Sequence, residues 1–151
     1  ESSLLMKKLI KMLSWAVFLL YLLLLADLLF ISRTYDTSYG VNLVPMNQIE
    51  LFFGLLRSSN YSFRRLAIIN LVGNIAIFIP FGFFLSFLVK RYRNYFRLFF
   101  FLLIFIFLFE FIQYYFKVGT FDIDDIILNL LGVTVGYLLF VVFRSVYEHI
   151  K

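Results

Sequence analysis

Between Phe121 and Asn129 the chain reads FDIDDIILN, three aspartates in four positions at the head of a long apolar run. Carboxylates at this spacing have more than one chemistry open to them. Asp122, Asp124 and Asp125, joined by Glu110 from the preceding apolar stretch, could hold a hard cation such as Mg²⁺ or Ca²⁺, which favours carboxylate oxygens. Beside Arg64 or Arg65, such an ion could support phosphoryl transfer or hydrolysis on a lipid or polyprenyl phosphate, with Glu110 as proton donor or acceptor. A simpler role is structural. Asp122 could cap a helix, and Asp124 and Asp125 could complement its dipole. That role suits one or two acids better than three, because like charges repel when packed together.

Amides and a second carboxyl stand at helical spacing in the neighbouring apolar segments. Asn70, Gly73 and Asn74 fall at i, i+3 and i+4 and share one helix face. Glu110 and Gln113 fall at i, i+3, and Asp125, Asn129, Gly132 and Gly136 form a third stripe. At a rise of about 1.5 Å per residue, Asn74 lies roughly 10 Å and Glu110 roughly 9 Å below one membrane surface. Three stripes at one depth predict a shared polar cleft opening outward, with the aspartates at its mouth and Arg64 and Arg65 as opposing charge. The amides taken singly could instead be interhelical hydrogen bonds worth about 0.6 kcal/mol each. Gly132 and Gly136 suit close helix packing or a homodimer contact.

The elements that carry these residues are membrane spans. The 151 residues are 63% hydrophobic and only 15% charged, with a mean hydropathy of +0.94, too little polar residue to cover a soluble domain. There is no cysteine, so thiolate chemistry and disulfides are excluded. Four continuous apolar stretches, about residues 9 to 31, 67 to 89, 98 to 116 and 126 to 143, predict an all-α membrane protein of four transmembrane helices in one domain. Lys7, Lys8, Lys11, Lys90, Arg91, Arg93, Arg97, Arg144 and Lys151 fall on one side. Arg33, Arg57, Arg64, Arg65 and Lys117 fall on the other. Nine against five places both termini in the cytoplasm and the aspartates outside. The basic positions are scattered between apolar runs, which argues against nucleic acid. MKK at Met6 reads as a start, with residues 1 to 5 as a preceding remnant, and the first span as retained rather than cleaved. In the long outer loop, residues 49 to 56 are too short to span and predict an interfacial or re-entrant helix, with Pro45 at its start. Pro80 and Gly82 suggest a kink.

Taken together, NLVP in the outer loop, NLVGNIAIFIPFG in the second span, EFIQ in the third and FDIDDIILNLLGVTVGY entering the fourth resemble the VanZ-like family of bacterial membrane proteins. The pieces occur in the family's order and cover most of the chain after Val41. The departure is before the aspartates, where family members often carry an Arg and this chain reads KVGT, so Lys117, Arg64 or Arg65 would have to substitute. The resemblance implies an envelope protein linked to glycopeptide resistance, teicoplanin in particular. It supplies no mechanism. One reading is a binding protein whose outward cleft takes a membrane lipid, a lipid-linked wall precursor, the drug or a cationic peptide. Arg64 and Arg65 would meet a phosphate, and Asn70, Asn74, Gln113 and Asn129 would meet sugars or amides. The alternatives are the metal-assisted enzyme above and a structural or partner subunit. With no H-E-x-x-H, no G-x-S-x-G and no histidine in the cleft, binding is preferred to catalysis.

Overall fold

The computed structural model describes residues 2–27 and 40–149. In chain order it contains α1 (Ser2–Ala26), β1 (Val41–Asn42), α2 (Asn47–Leu56), α3 (Tyr61–Leu88), a 3-10 turn (Lys90–Arg93), α4 (Tyr95–Tyr115), β2 (Phe121–Asp122) and α5 (Ile123–His149). Four of these helices, α1, α3, α4 and α5, are long and apolar enough to cross a membrane. The fold class is therefore the all-α membrane bundle expected. Residues 28 to 39, with the end of the first expected span and Arg33 of the charge count, lie outside the described residues, as does Lys151.

Local caps set the helix starts. Asn60 accepts from Ser62 N at 2.9 Å and Asn94 from Arg97 N at 3.1 Å, each satisfying a backbone donor that a first helical turn leaves open. Hence α3 starts at Tyr61 and α4 at Tyr95, before the apolar runs they carry. At its other end α4 closes through Val118 N to Gln113 O at 3.0 Å and Lys117 N to Tyr114 O at 3.1 Å. Lys117 sits there at φ 56, in the left-handed place that glycine usually fills.

The centre of the bundle is the pair α3 and α5. A Cβ on Gly82 would lie 2.2 Å from Val133 O, one on Gly132 2.1 Å from Ile75 O, and one on Gly136 2.0 Å from Ile79 O. Three glycines thus bring the two backbones into contact, the close packing that small residues permit between helices in lipid. Gly132 and Gly136 use their small face inside the chain, against α3. A homodimer through them would have to displace α3. Gly82 is likewise a contact residue, against Val133. Pro80 lies inside a helix that continues to Leu88. In the turn before it, the Tyr21 hydroxyl of α1 donates to Ile77 O, tying α1 to α3.

Around this pair, Phe18 and Leu25 of α1, Phe78, Phe81 and Leu85 of α3, Leu98, Leu102 and Ile106 of α4, and Val133 of α5 form one apolar core. Outward-facing Phe100, Ile104, Phe107 and Phe111 of α4 are exposed, the lipid-facing bulk that such a helix requires in a bilayer. Ile10 and Lys11 of α1 and Tyr147 of α5 line one cavity, so the beginning and the end of the chain share one end of the bundle. Lys8, Lys11, Lys90, Arg91, Arg93, Arg97 and Arg144 gather there, and we refer to it as the basic end. The aspartates mark the opposite, acidic end.

Candidate functional site

At the acidic end the three aspartates point to three different elements. Asp122 lies just before α5, and its Oδ1 accepts from Asp124 N at 2.8 Å and from Asn42 Nδ2 at 2.9 Å. The second bond extends a two-residue parallel ladder in which Val41 pairs with Phe121 and Asn42 with Asp122. Asp124 is 1% exposed. Its Oδ1 accepts from Met46 N at 2.6 Å, and its Oδ2 from Gln48 N at 2.7 Å and Ile49 N at 3.1 Å. Asp125 Oδ1 accepts from Asn74 Nδ2 of α3. One cluster therefore holds β1, α2 and α3 around the start of α5. The like-charge objection to a structural role weakens, because each carboxylate has donors of its own.

Asp124 does for α2 what α2's own sequence does not. The residue before the helix is Met46, which has no capping side chain and sits at φ 69. The open backbone donors of the first turn, and the positive end of the helix dipole, meet Asp124 instead. Pro45 is accordingly one residue ahead of the cap, not the first helical residue. The segment expected at residues 49 to 56 is a helix over Asn47–Leu56, docked by Ile49 against Leu71 of α3 and Leu128 of α5, with Phe52, Leu56 and Ile75 packed around them. A left-handed Met costs about 1–2 kcal/mol that Gly does not incur. Met46→Gly, which keeps the backbone bond to Asp124, is expected to tighten α2 docking by about 1 kcal/mol, read as slower amide exchange across residues 47–56.

The other expected site residues fall into two groups. Asn74 and Asp125 meet between α3 and α5, and Asn129 stands one turn further along α5. Asn129 is 5% exposed, and its Oδ1 has no hydrogen-bond partner among the described residues. Glu110 and Gln113 continue the buried stripe of α4, Leu98, Leu102 and Ile106, to the acidic end, and both are engaged in interactions of the fold. Arg64 and Arg65 stand apart. Arg64 Nη1 donates to Ser58 O at 3.0 Å. Arg65, nine residues before Asn74, projects from the opposite face of α3 at about 100° per residue. Both line a shallow depression with Tyr61, Ile68 and Ile69 that contains no acid. Asn70 bonds back to Leu66 O at 2.9 Å. The three carboxylates diverge, and among the described residues no three His, Cys, Asp or Glu side chains are grouped to hold a metal.

Sequence reasoning missed Asn42 and the backbone donors of Met46, Gln48 and Ile49. One signal was available: an apolar helix with Met, rather than Ser, Thr, Asp or Asn, at its cap must borrow an acceptor from elsewhere.

Burial pushes the Asp122 carboxyl above its ordinary value, and the nearby Asp124 charge adds to this, while the bonds from Asp124 N and Asn42 oppose it. A raised folded value means the folded state holds the proton more tightly, so this group's contribution to stability is full at low pH. It declines as pH rises from about 3.9 through the raised value. Asn at this position can accept the same two bonds without the charge. Asp122→Asn is expected to remove the decline, raising the melting temperature at pH 7 relative to that at pH 4 compared with wild type.

These positions define a class: a helical bundle of four membrane-length helices in which the segment before α3 is latched to the last helix by an aspartate cluster. The VanZ/LLP1 family model matches residues 18–144, and the chain belongs to that family. Membership fits a role in the cell envelope. Comparisons with curated proteins and with solved structures find no match.

Proposed function

We propose that this chain sits in the bacterial cytoplasmic membrane with its acidic end outward. There it lowers susceptibility to teicoplanin-type lipoglycopeptides by binding a polar-headed lipid, foremost a lipid-linked wall precursor. The observation that carries this reading is the junction of Asn74, Asp125 and Asn129 beside α2. It combines buried Asn74 and Asn129, the latter with its Oδ1 open, and half-buried Asp125 with a neighbouring α2 that docks on Leu71 and Leu128 and exposes Leu51 and Phe53. A lipid with a polar head presents the complementary pair of surfaces. The excess of Lys and Arg at the other end supports the orientation. The divergence of the aspartates favours binding over a metal-assisted reaction, since each carboxylate already serves a different element.

The test is a deletion strain complemented with wild type, Asn129→Ala or Asp125→Asn at equal membrane levels, challenged with teicoplanin and with vancomycin. Wild type should restore growth at teicoplanin concentrations severalfold above those tolerated by the variants. Equal protection by all three would remove the junction from the function. No protection by wild type would show that the family phenotype does not extend to this chain.

A further inference from the structure

The basic end carries a groove with a chemistry distinct from the acidic end. Lys11 of α1, with Lys90 and Arg93 of the 3-10 turn, lines a cavity of about 340 Å³ whose walls include Leu88, Phe143 and Tyr147. None of the three cations has an ion-pair partner among the described residues. Arg93 also borders an adjoining cavity of about 300 Å³, where Arg144 is matched by Glu148, Nε to Oε1 2.8 Å. The pairing of Arg144 leaves the uncompensated charge concentrated in the first cavity.

We infer that this groove holds the phosphate of an anionic phospholipid from the adjacent leaflet. Three cations lining one cavity from two elements suit a phosphodiester, whose oxygens accept charge-assisted hydrogen bonds. The groove lies where α3 ends at Leu88 and where α1 and α5 reach the basic end, the depth at which headgroups meet helix termini. Basic pockets between membrane helices bind such headgroups. Leu88 and Phe143 offer a surface along which an acyl chain gains contact, whereas a soluble phosphate gains nothing from it. Its lack of any acidic side chain separates it from the neighbouring cavity, where a zwitterionic headgroup could place its own cation against Glu148.

The competing account is diffuse: cations at this end set topology, and any anion is drawn to them. A charge-matched control separates the two. The full-length protein is purified, stripped of lipid in mild detergent, and titrated with phosphatidylglycerol or phosphatidylcholine, with bound copies counted by native mass spectrometry. Wild type should prefer phosphatidylglycerol by about tenfold or more. Lys11→Gln/Lys90→Gln/Arg93→Gln should lose at least about tenfold in that affinity, while Lys8→Gln/Arg91→Gln/Arg97→Gln, equal in charge but outside the groove, stays within about twofold of wild type. Equal loss in both triples, equal binding of the two lipids, or displacement by glycerol phosphate at matched concentration would each overturn the assignment. If the groove triple does not elute as a single folded species, Arg93→Gln alone is read against Arg91→Gln by the same criterion.

Discussion

Gly136→Ala should destabilise the bundle by about 3 kcal/mol or more, the upper part of the range for overpacking a tight contact. The new methyl would sit 2.0 Å from Ile79 O and 2.9 Å from Phe83 N. Both are backbone atoms, so no side chain can swing aside, and α3 and α5 must separate. Separation loosens the neighbouring contacts of Gly132 with Ile75 and Gly82 with Val133, which lie along the same seam. The effect should therefore be non-additive: in Gly82→Ala/Gly136→Ala the second substitution costs less than it does alone, because the first has already opened the gap. Gly73 and Gly54 provide the internal comparison. Each is helical and has nothing within 4 Å of where a Cβ would go. There, alanine should be neutral or stabilising by about 0.5–1 kcal/mol through helix propensity. Thermal denaturation of these variants in one detergent decides the matter. Equal melting temperatures for Gly136→Ala and Gly73→Ala would mean that the seam is not the close contact described.

The seam also shows what is legible in the sequence. The Gly132–Gly136 spacing announces a close approach, and four long apolar runs announce the spans, because both are local patterns. The partner of the glycines is not legible. A small-residue face fits any helix, and only the intramolecular fit against Ile75 and Ile79 selects α3 over a second copy. The acidic cluster is legible in the same partial way. Asp122 as a cap follows from its place before an apolar run. The equal depth of Asn74 and the first turn of α5 follows from residue counting. The link from Asp124 to α2 spans more than seventy positions, and no periodicity encodes it. Arg64 and Arg65 are close in sequence to the polar stripe, which suggests that they oppose the acids, but a helix turns Arg65 to its far side.

Asp124→Asn should release α2 without unfolding the bundle. The carboxylate accepts three backbone N–H bonds through two oxygens. An amide offers one oxygen and turns an NH₂ toward donors that need an acceptor. Hydrogen bonds to a charged group contribute about 1.5–3 kcal/mol each, and a buried N–H left open costs about 1–3 kcal/mol more, so the local penalty is of order 4 kcal/mol. What opposes it is the apolar contact of Ile49 with Leu71 and Leu128. Ile49 brings about 1.5–3 kcal/mol and the partly buried Phe52 and Leu56 add to it, so losing the carboxylate removes a large share of the docking energy and α2 opens more often. The seam between α3 and α5 does not involve Asp124, so the global melting temperature should move little while α2 opens. The absence of cysteine makes this measurable through Ile49→Cys, at a position 5% exposed in the docked helix. That thiol should react with a maleimide slowly when Asp124 is intact, and at least about tenfold faster in the double variant Ile49→Cys/Asp124→Asn. Unchanged labelling would show that apolar packing alone docks α2. Faster labelling with teicoplanin protection intact would separate the latch from the binding junction, assigning Asp124 to architecture and leaving Asp125 and Asn129 as the groups that face the ligand.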